Sequence, residues 1–167
     1  MVRLFQIFVL AAVAAFAAGP ARAQHSHGGH SDGGHSHGAP SFAAGEPGVA
    51  AKVTRRIEVV AHEGEGKMSF EPNRIAVQKG ETVEFTLRNA GQLDHEFVLG
   101  SAAENAAHAA QMASSPQMKH DDPNAARIAA GQSATLVWRF SISGDFEFAC
   151  LIPGHYEAGM KGAAVVR

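Results

Sequence analysis

The feature that most limits how this chain can fold is an apolar–polar alternation of period two, which recurs from about residue 53 to the C-terminus. In residues 81–89, Val83, Phe85 and Leu87 fall on one face and polar residues fall between them. Such alternation is typical of a half-buried β-strand. Further strands are expected at 55–61, 74–78, 95–100, 133–141, 144–150 and 162–167. Short strands separated by close turn signals predict an all-β fold, a Greek-key β-sandwich.

One segment breaks the alternation. Residues 101–115, "SAAENAAHAAQMASS", are rich in alanine and predict a helix. Ser101 and Glu104 have the Ser-x-x-Glu spacing of a capping box, which marks a helix start. The loop that follows, residues 116–132, contains Asp121-Asp122-Pro123, which we expect to form a turn. The sandwich should therefore carry one short helical insertion between two strands.

The N-terminal residues predict export. Arg3 precedes an apolar run at residues 4–18, and Ala21-Arg22-Ala23 has the pattern of a cleavage site. This predicts a secretory signal peptide, residues 1–23. An uncleaved anchor is the alternative, but a membrane span needs about 20 apolar residues. We expect a periplasmic protein whose mature chain does not insert into the membrane.

A segment rich in Gly, Ser and His follows the predicted signal peptide. Residues 24–52 have little apolar surface to bury, which predicts a disordered tail before a domain at 53–167. Histidine-rich tracts can bind metal ions loosely. A solvated tail without a site is the alternative. The histidines concerned are His25, His27, His30, His35 and His37.

The charge and the cysteine count narrow the class of protein. The formal net charge of −2 gives no indication of nucleic acid or anionic lipid as a partner. Cys150 is the only cysteine, so it cannot form a disulfide within the chain. In an oxidising compartment such a thiol must be buried, bound to a ligand or paired between chains.

Cys150 ends the predicted strand 144–150 and shares an apolar face with Phe146 and Phe148. His95 begins the strand 95–100 and likewise falls on its apolar face. Both side chains are therefore expected to point inward at one end of the sandwich. The Pro153-Gly154 turn in the following loop can bring His155 and Met160 towards the same point.

Two imidazoles, one thiolate and one thioether are the donor set of a type 1 (blue) copper site, with a trigonal His₂Cys plane and a weak axial Met. The predicted copper ligands are His95, Cys150, His155 and Met160. A bound thiolate would also be shielded from oxidation. The alternative is that Cys150 is a plain buried cysteine, His95 a core histidine and Met160 a packing residue.

The loop "CLIPGHYEAGM" (150–160) resembles the ligand loop of the cupredoxin family, with Cys-x4-His-x4-Met spacing similar to that of rusticyanin and auracyanin. "DHEFVLG" (94–100) resembles the upstream ligand strand, and residues 68–91 resemble the strands before it. The chain also resembles periplasmic copper-tolerance cupredoxins, which have His- and Met-rich additions. Many cupredoxins have Asn after the upstream His, where it hydrogen-bonds the ligand loop. Here Glu96 follows His95.

The helical insertion contains a second set of metal-competent side chains. His108 and Met112 are one turn apart and face the same way on a helix. Thioethers with imidazoles suit Cu(I). The alternative is that the methionines pack the helix and the histidines are solvated. This second candidate copper site comprises His108, Met112, Met118 and His120.

Two functions compete. A copper-handling protein for homeostasis or tolerance accounts for the His-rich tail and the insertion, whereas a soluble one-electron carrier needs neither. A copper oxidase would need further His clusters, which the predicted domain does not supply, so we do not expect an enzyme. The expected partner is a copper donor or acceptor, or a redox protein, and the expected state is a monomer.

Overall fold

A computed structural model of the chain describes residues 42–115 and 121–167. The described residues form ten strands and one α-helix, in chain order β1 (Glu46–Pro47), β2 (Arg55–Gly64), β3 (Lys67–Glu71), β4 (Arg74–Val77), β5 (Thr82–Asn89), β6 (His95–Gly100), α1 (Ala102–Ser114), β7 (Ala125–Ile128), β8 (Ser133–Arg139), β9 (Gly144–Ala149) and β10 (Lys161–Val166). A short 3₁₀ helix, Ala50–Lys52, lies between β1 and β2. No helix within these ranges is long and apolar enough to cross a membrane.

The strands form two five-stranded sheets. The first has the order β1-β8-β5-β2-β3, and the second has the order β4-β10-β9-β6-β7. The pairs β2–β5 and β4–β10 are parallel, and the other pairs are antiparallel. Consecutive strands repeatedly belong to different sheets, as in a Greek-key sandwich. The predicted all-β sandwich with one short helix is confirmed.

The core between the sheets is built from the alternating apolar positions. Val83, Phe85 and Leu87 of β5 are fully buried, as the alternation predicts. Phe97 of β6 stacks on Phe148 of β9 with ring centroids 5.0 Å apart. Burying a side chain of this size stabilises the fold by about 1.5–3 kcal/mol. The aromatic cluster therefore holds β6 and β9, the strands that lead to His95 and Cys150, in one register.

Strand β6 is buried on both faces. Phe97 and Leu99 point into the core, while Val98 on the other face packs with Ala149 and Leu151. Ala109 of α1 packs against this second cluster. Helix α1 therefore covers the outer face of the second sheet, next to Leu151.

Helix α1 begins as the sequence predicts. Ser101 is its N-cap, and the Ser101 Oγ accepts a hydrogen bond from the Glu104 backbone N–H at 3.2 Å. The Ser101 backbone N–H donates to Glu104 Oε2 at 2.7 Å, which completes the capping box. The predicted turn at Asp122 also forms, since the Ala125 N–H donates to the Asp122 carbonyl at 2.9 Å.

The sequence does not predict three of the strands. Strand β7 forms inside the expected loop 116–132, where it pairs with β6. Strands β1 and β3 are the outer strands of the first sheet. Strands β1 and β7 are short and do not alternate in burial, because an edge strand is stabilised by backbone pairing with a neighbour more than by burial of its own side chains. Strand β3 does alternate, since buried Phe70 lies between exposed Ser69 and Glu71, so the sequence contains a signal from which this strand could have been predicted.

The expectation of a disordered tail over residues 24–52 is wrong for residues 42–52. Phe42 packs edge-to-face on Trp138 with centroids 5.3 Å apart, and Ala44 is fully buried. Gly45 has φ = +134°, and a Cβ there would lie 2.1 Å from the Arg139 carbonyl oxygen. This segment folds because β1 completes the edge of β8 through backbone hydrogen bonds, which need few apolar side chains. The predicted signal peptide and the five tail histidines lie outside the described residues.

Candidate metal centre

Three of the four predicted copper ligands come together at one end of the sandwich. His95 is the first residue of β6, and Cys150 follows β9 directly. His155 lies in the loop of residues 150–160, between β9 and β10. His95 and Cys150 are 0% exposed and His155 is 9% exposed. The sequence places Cys150 at the end of a strand, and the structure places it one residue beyond.

The donor atoms of these residues have the spacing of a single ion site. His95 Nδ1 lies 3.1 Å from His155 Nδ1, and Cys150 Sγ lies 3.4 Å from the same nitrogen. All three donor atoms are within 4.8 Å of one another. Two donors that each lie about 2.0 Å from one ion, 120° apart, are separated by about 3.5 Å. The geometry and the soft thiolate beside two imidazoles fit copper.

Backbone hydrogen bonds fix the shape of the loop. The Cys150 N–H donates to the Met160 carbonyl at 3.0 Å, and the Met160 N–H donates to the His155 carbonyl at 3.1 Å. Gly154 and Gly159 have φ of +91° and +101°, a region that favours glycine. The Met160 side chain is fully buried and belongs to the same hydrophobic cluster as Cys150.

Glu96 occupies the sequence position where the family resemblance implies Asn, and it contacts the loop of residues 150–160. Its backbone N–H donates to Cys150 Sγ at 3.4 Å. Its carboxylate oxygen Oε1 accepts from the Leu151 N–H at 3.2 Å. Many cupredoxins have Asn at this position, and its side chain hydrogen-bonds the ligand loop. In this chain the Glu96 side chain makes a hydrogen bond to the same loop. Sequence reasoning does not find this role.

A second carboxylate lies behind His95. Glu63 Oε1 is 3.0 Å from His95 Nε2, the ring nitrogen that faces away from Cys150 and His155. The Leu93 N–H donates to the same oxygen at 2.8 Å. The hydrogen bonds from the Leu93 and Gln92 backbone and from the His95 side chain outweigh the effect of burial. Together they hold the pKa of Glu63 below its ordinary value. Sequence reasoning misses Glu63, although it continues the inward-facing alternation of β2.

Burial determines the charge of the metal-free centre. It raises the pKa of the Cys150 thiol to about 12. Burial also lowers the pKa of His155, and the neighbouring His95 lowers it further. At neutral pH the thiol therefore keeps its proton and the His155 imidazole is neutral. A metal ion that binds here must displace the thiol proton.

The second candidate site is only partly within the described residues. His108 and Met112 lie on α1, where Met112 is buried and His108 Nδ1 is 3.8 Å from Asp122 Oδ2. Met118 and His120 lie outside the described residues, so this site stays a prediction. Among the described His, Cys, Asp and Glu side chains, the group of three with metal-binding spacing is His95, Cys150 and His155.

The comparisons with known proteins agree with this centre. The family described as "Copper binding proteins, plastocyanin/azurin family" matches residues 57–167. The copper-resistant cuproprotein CopI of Rubrivivax gelatinosus is 53% identical over 123 residues, which cover 74% of this chain and 73% of that protein. The protein of the same name from Pseudomonas aeruginosa is 41% identical over 154 residues, 75% of this chain and 83% of the relative.

Solved structures show the same fold. A structure of auracyanin B matches with a TM-score of 0.60 and 26% identity, over 74% of this chain and 96% of that chain. An auracyanin from Roseiflexus castenholzii matches with a TM-score of 0.57 and 23% identity, over 69% of this chain and 98% of that chain. Since the family match extends over most of the chain and includes the His–Cys–His cluster, the chain belongs to the plastocyanin/azurin family of copper-binding proteins, and its cofactor is copper.

Proposed function

We propose that the protein is a periplasmic type 1 copper protein that binds and cycles Cu(I) and Cu(II) in copper tolerance. The observation that carries this proposal is the cluster of His95 Nδ1, Cys150 Sγ and His155 Nδ1 within 4.8 Å at the buried end of the sandwich. These three residues would hold the copper ion. Met160, which is buried in the same cluster as Cys150, would supply a fourth and weaker donor.

Copper, when bound, supplies one-electron chemistry, and the chain's own residues keep the centre rigid and dry. The hydrogen bonds between residues 150 and 160 hold the loop donors in position whatever the charge on the metal. Glu96 attaches this loop to β6. Because the donors hardly need to move, the site suits both oxidation states.

The role in tolerance is supported by two observations. The relatives from Rubrivivax gelatinosus and Pseudomonas aeruginosa are named copper-resistant cuproproteins. The sequence adds a histidine-rich segment at 24–41 and the His108–Met112 pair, which an electron carrier does not require. We propose that these additions bind further copper. We also propose that the protein is a monomer and that its partner is a copper donor or acceptor.

The proposal is of a binding protein and not of an enzyme. The described residues offer one cluster of three metal-binding side chains, whereas a copper oxidase needs another group of histidines. A soluble one-electron carrier is the second candidate. It is favoured by the small exposure of His155, which at 9% is the least buried of the three clustered residues and the one nearest to a redox partner at the surface.

The first experiment tests the centre. Cys150→Ser should abolish the intense visible absorption of the copper-loaded mature protein, because the chain has no other thiolate. Thr86→Ser, which changes an exposed side chain of β5, is the control and should keep the absorption. Colour that survives in Cys150→Ser would show that the centre is wrongly assigned.

The second experiment separates the two roles. Deleting residues 24–41 leaves the folded segment from Phe42 onward intact. It should lower the number of copper ions bound per chain and the copper tolerance of the cells, while the type 1 spectrum and the electron-transfer rate persist. Equal stoichiometry and equal tolerance with and without the segment would favour the electron carrier.

A further inference from the structure

Glu63 is a carboxylate in a place where the alternation of β2 calls for an apolar side chain. Ile57, Val59 and Ala61 are the buried residues of this strand, and Glu63 is next in the same series. The Glu63 side chain is 21% exposed, and its Oε1 lies 3.0 Å from Nε2 of the fully buried His95. Its carboxylate is therefore directed from the sheet towards the metal centre.

The turn between β5 and β6 is shaped around this carboxylate. A Cβ at Gly91 would lie 2.1 Å from Glu63 Oε1, so any larger residue there would displace the Glu63 carboxylate from this position. Buried Asn89 holds the turn, since its Oδ1 accepts from the Gly91 N–H at 2.8 Å and its Nδ2 donates to the Leu93 carbonyl at 2.7 Å. The Leu93 N–H then donates to Glu63 Oε1 at 2.8 Å. The turn that leads to His95 thus also fixes the acceptor behind its ring.

The two nitrogens of His95 have different surroundings. Nδ1 faces the donor atoms of His155 and Cys150, and Nε2 faces Glu63. In a neutral imidazole one nitrogen carries the proton and the other accepts. A carboxylate can only accept, so the proton belongs on Nε2 and the lone pair on Nδ1 is directed to the metal. A carboxylate behind a ligating histidine also makes the imidazole a stronger donor.

We propose that Glu63 is a positioning residue, which fixes His95 as the Nε2–H tautomer and through it favours Cu(II) over Cu(I). This inference rests on the proposed function, since it requires His95 to bind copper. The carboxylate adds negative charge behind a ligand, and negative charge stabilises the more highly charged ion. The reduction potential is therefore lower than it would be with a neutral acceptor in the same place.

Two variants separate the parts of this role. Glu63→Gln keeps an acceptor oxygen and removes the charge, whereas Glu63→Leu removes both. The matched control is Glu58→Gln on the same strand, which removes one charge from an exposed carboxylate that pairs with Arg88. If Glu63→Leu fails to fold, the nearly isosteric Glu63→Gln still tests the effect of charge.

The first measurement uses the copper-free protein. The ¹⁵N NMR shifts of the His95 ring should show one tautomer, Nε2–H, in the wild type and in Glu63→Gln. Glu63→Leu should give a mixture of both tautomers. An Nδ1–H tautomer in the wild type, or an unchanged spectrum in Glu63→Leu, would overturn the positioning role. This readout does not depend on copper, so it is separate from the test of the proposed function.

The second measurement uses the copper-loaded protein. The ratio of Cu(II) to Cu(I) affinity, obtained from the reduction potential, should fall about tenfold in Glu63→Gln, the lower end of the usual effect of a partner behind a metal ligand. Glu58→Gln should leave the ratio unchanged. If Glu63→Gln behaves like Glu58→Gln while Cys150→Ser loses its colour, this inference fails and the copper centre stands. If Cys150→Ser keeps its colour, the proposed centre fails.

Discussion

Copper binding by this protein should strengthen about tenfold for each unit that the pH is raised between 7.5 and 9. Burial raises the pKa of the Cys150 thiol to about 12, so over this range almost every metal-free molecule carries a protonated thiol. Each copper ion that binds as a thiolate complex must then release one proton. One released proton corresponds to a tenfold change in affinity, about 1.4 kcal/mol, per pH unit.

The structure explains why this proton is held so firmly. Cys150 is fully buried, and the backbone N–H groups of Glu96, at 3.4 Å, and of Ile152 are donors to its sulfur. These weak hydrogen bonds do not compensate a thiolate for the water that it loses on burial, so burial dominates and the pKa is raised. His155 does not add to the proton count, because burial lowers its pKa and the imidazole is already neutral in this range.

The assay is a competition for Cu(I) against a chromogenic chelator, repeated at several pH values and corrected for the protonation of the chelator. Met160→Leu should give the same slope as the wild type, since it keeps the thiol. Cys150→Ser should remove the slope. A wild-type affinity that does not change with pH would mean that the thiol is already ionised, and the reasoning from burial would be refuted.

Three further predictions follow from other contacts. Met160→Leu should keep copper bound and raise the reduction potential in a redox titration, since a weak donor is lost; loss of all copper would contradict axial ligation. Phe97→Ala should lower the free energy of unfolding by about 3–5 kcal/mol in denaturant, because Phe97 is fully buried in the aromatic cluster; a change below about 1 kcal/mol would contradict this. Burial raises the pKa of Glu104, but hydrogen bonds from Ser101 and Ala43 outweigh it and the net pKa is lowered, so its ionised form contributes stability above about pH 4.5 that is lost as the pH falls through its folded pKa. Thermal unfolding should therefore show a larger loss below pH 4.5 for the wild type than for Glu104→Gln, and equal losses would contradict the assignment.

Local patterns are what the sequence by itself determines here. The alternation in β5 predicts which side chains are buried, because successive residues of any strand point to opposite faces. The capping box at Ser101 and Glu104 is a contact between residues three apart. The separation of Cys150, His155 and Met160 depends on one short loop, so the order and spacing of these residues predict their proximity without knowledge of the rest of the fold.

The tertiary structure decides which distant elements meet. The alternation shows that Glu63 points inward, but its contact with His95 crosses 32 residues of sequence and depends on the turn at Gly91. The packing of residues 42–52 depends on the free edge of β8, which the composition of that segment does not show. The alternation of a strand specifies a face and not a partner. Which strands pair, and which side chains hydrogen-bond the metal ligands from behind, is therefore decided only when the two sheets pack together around the core.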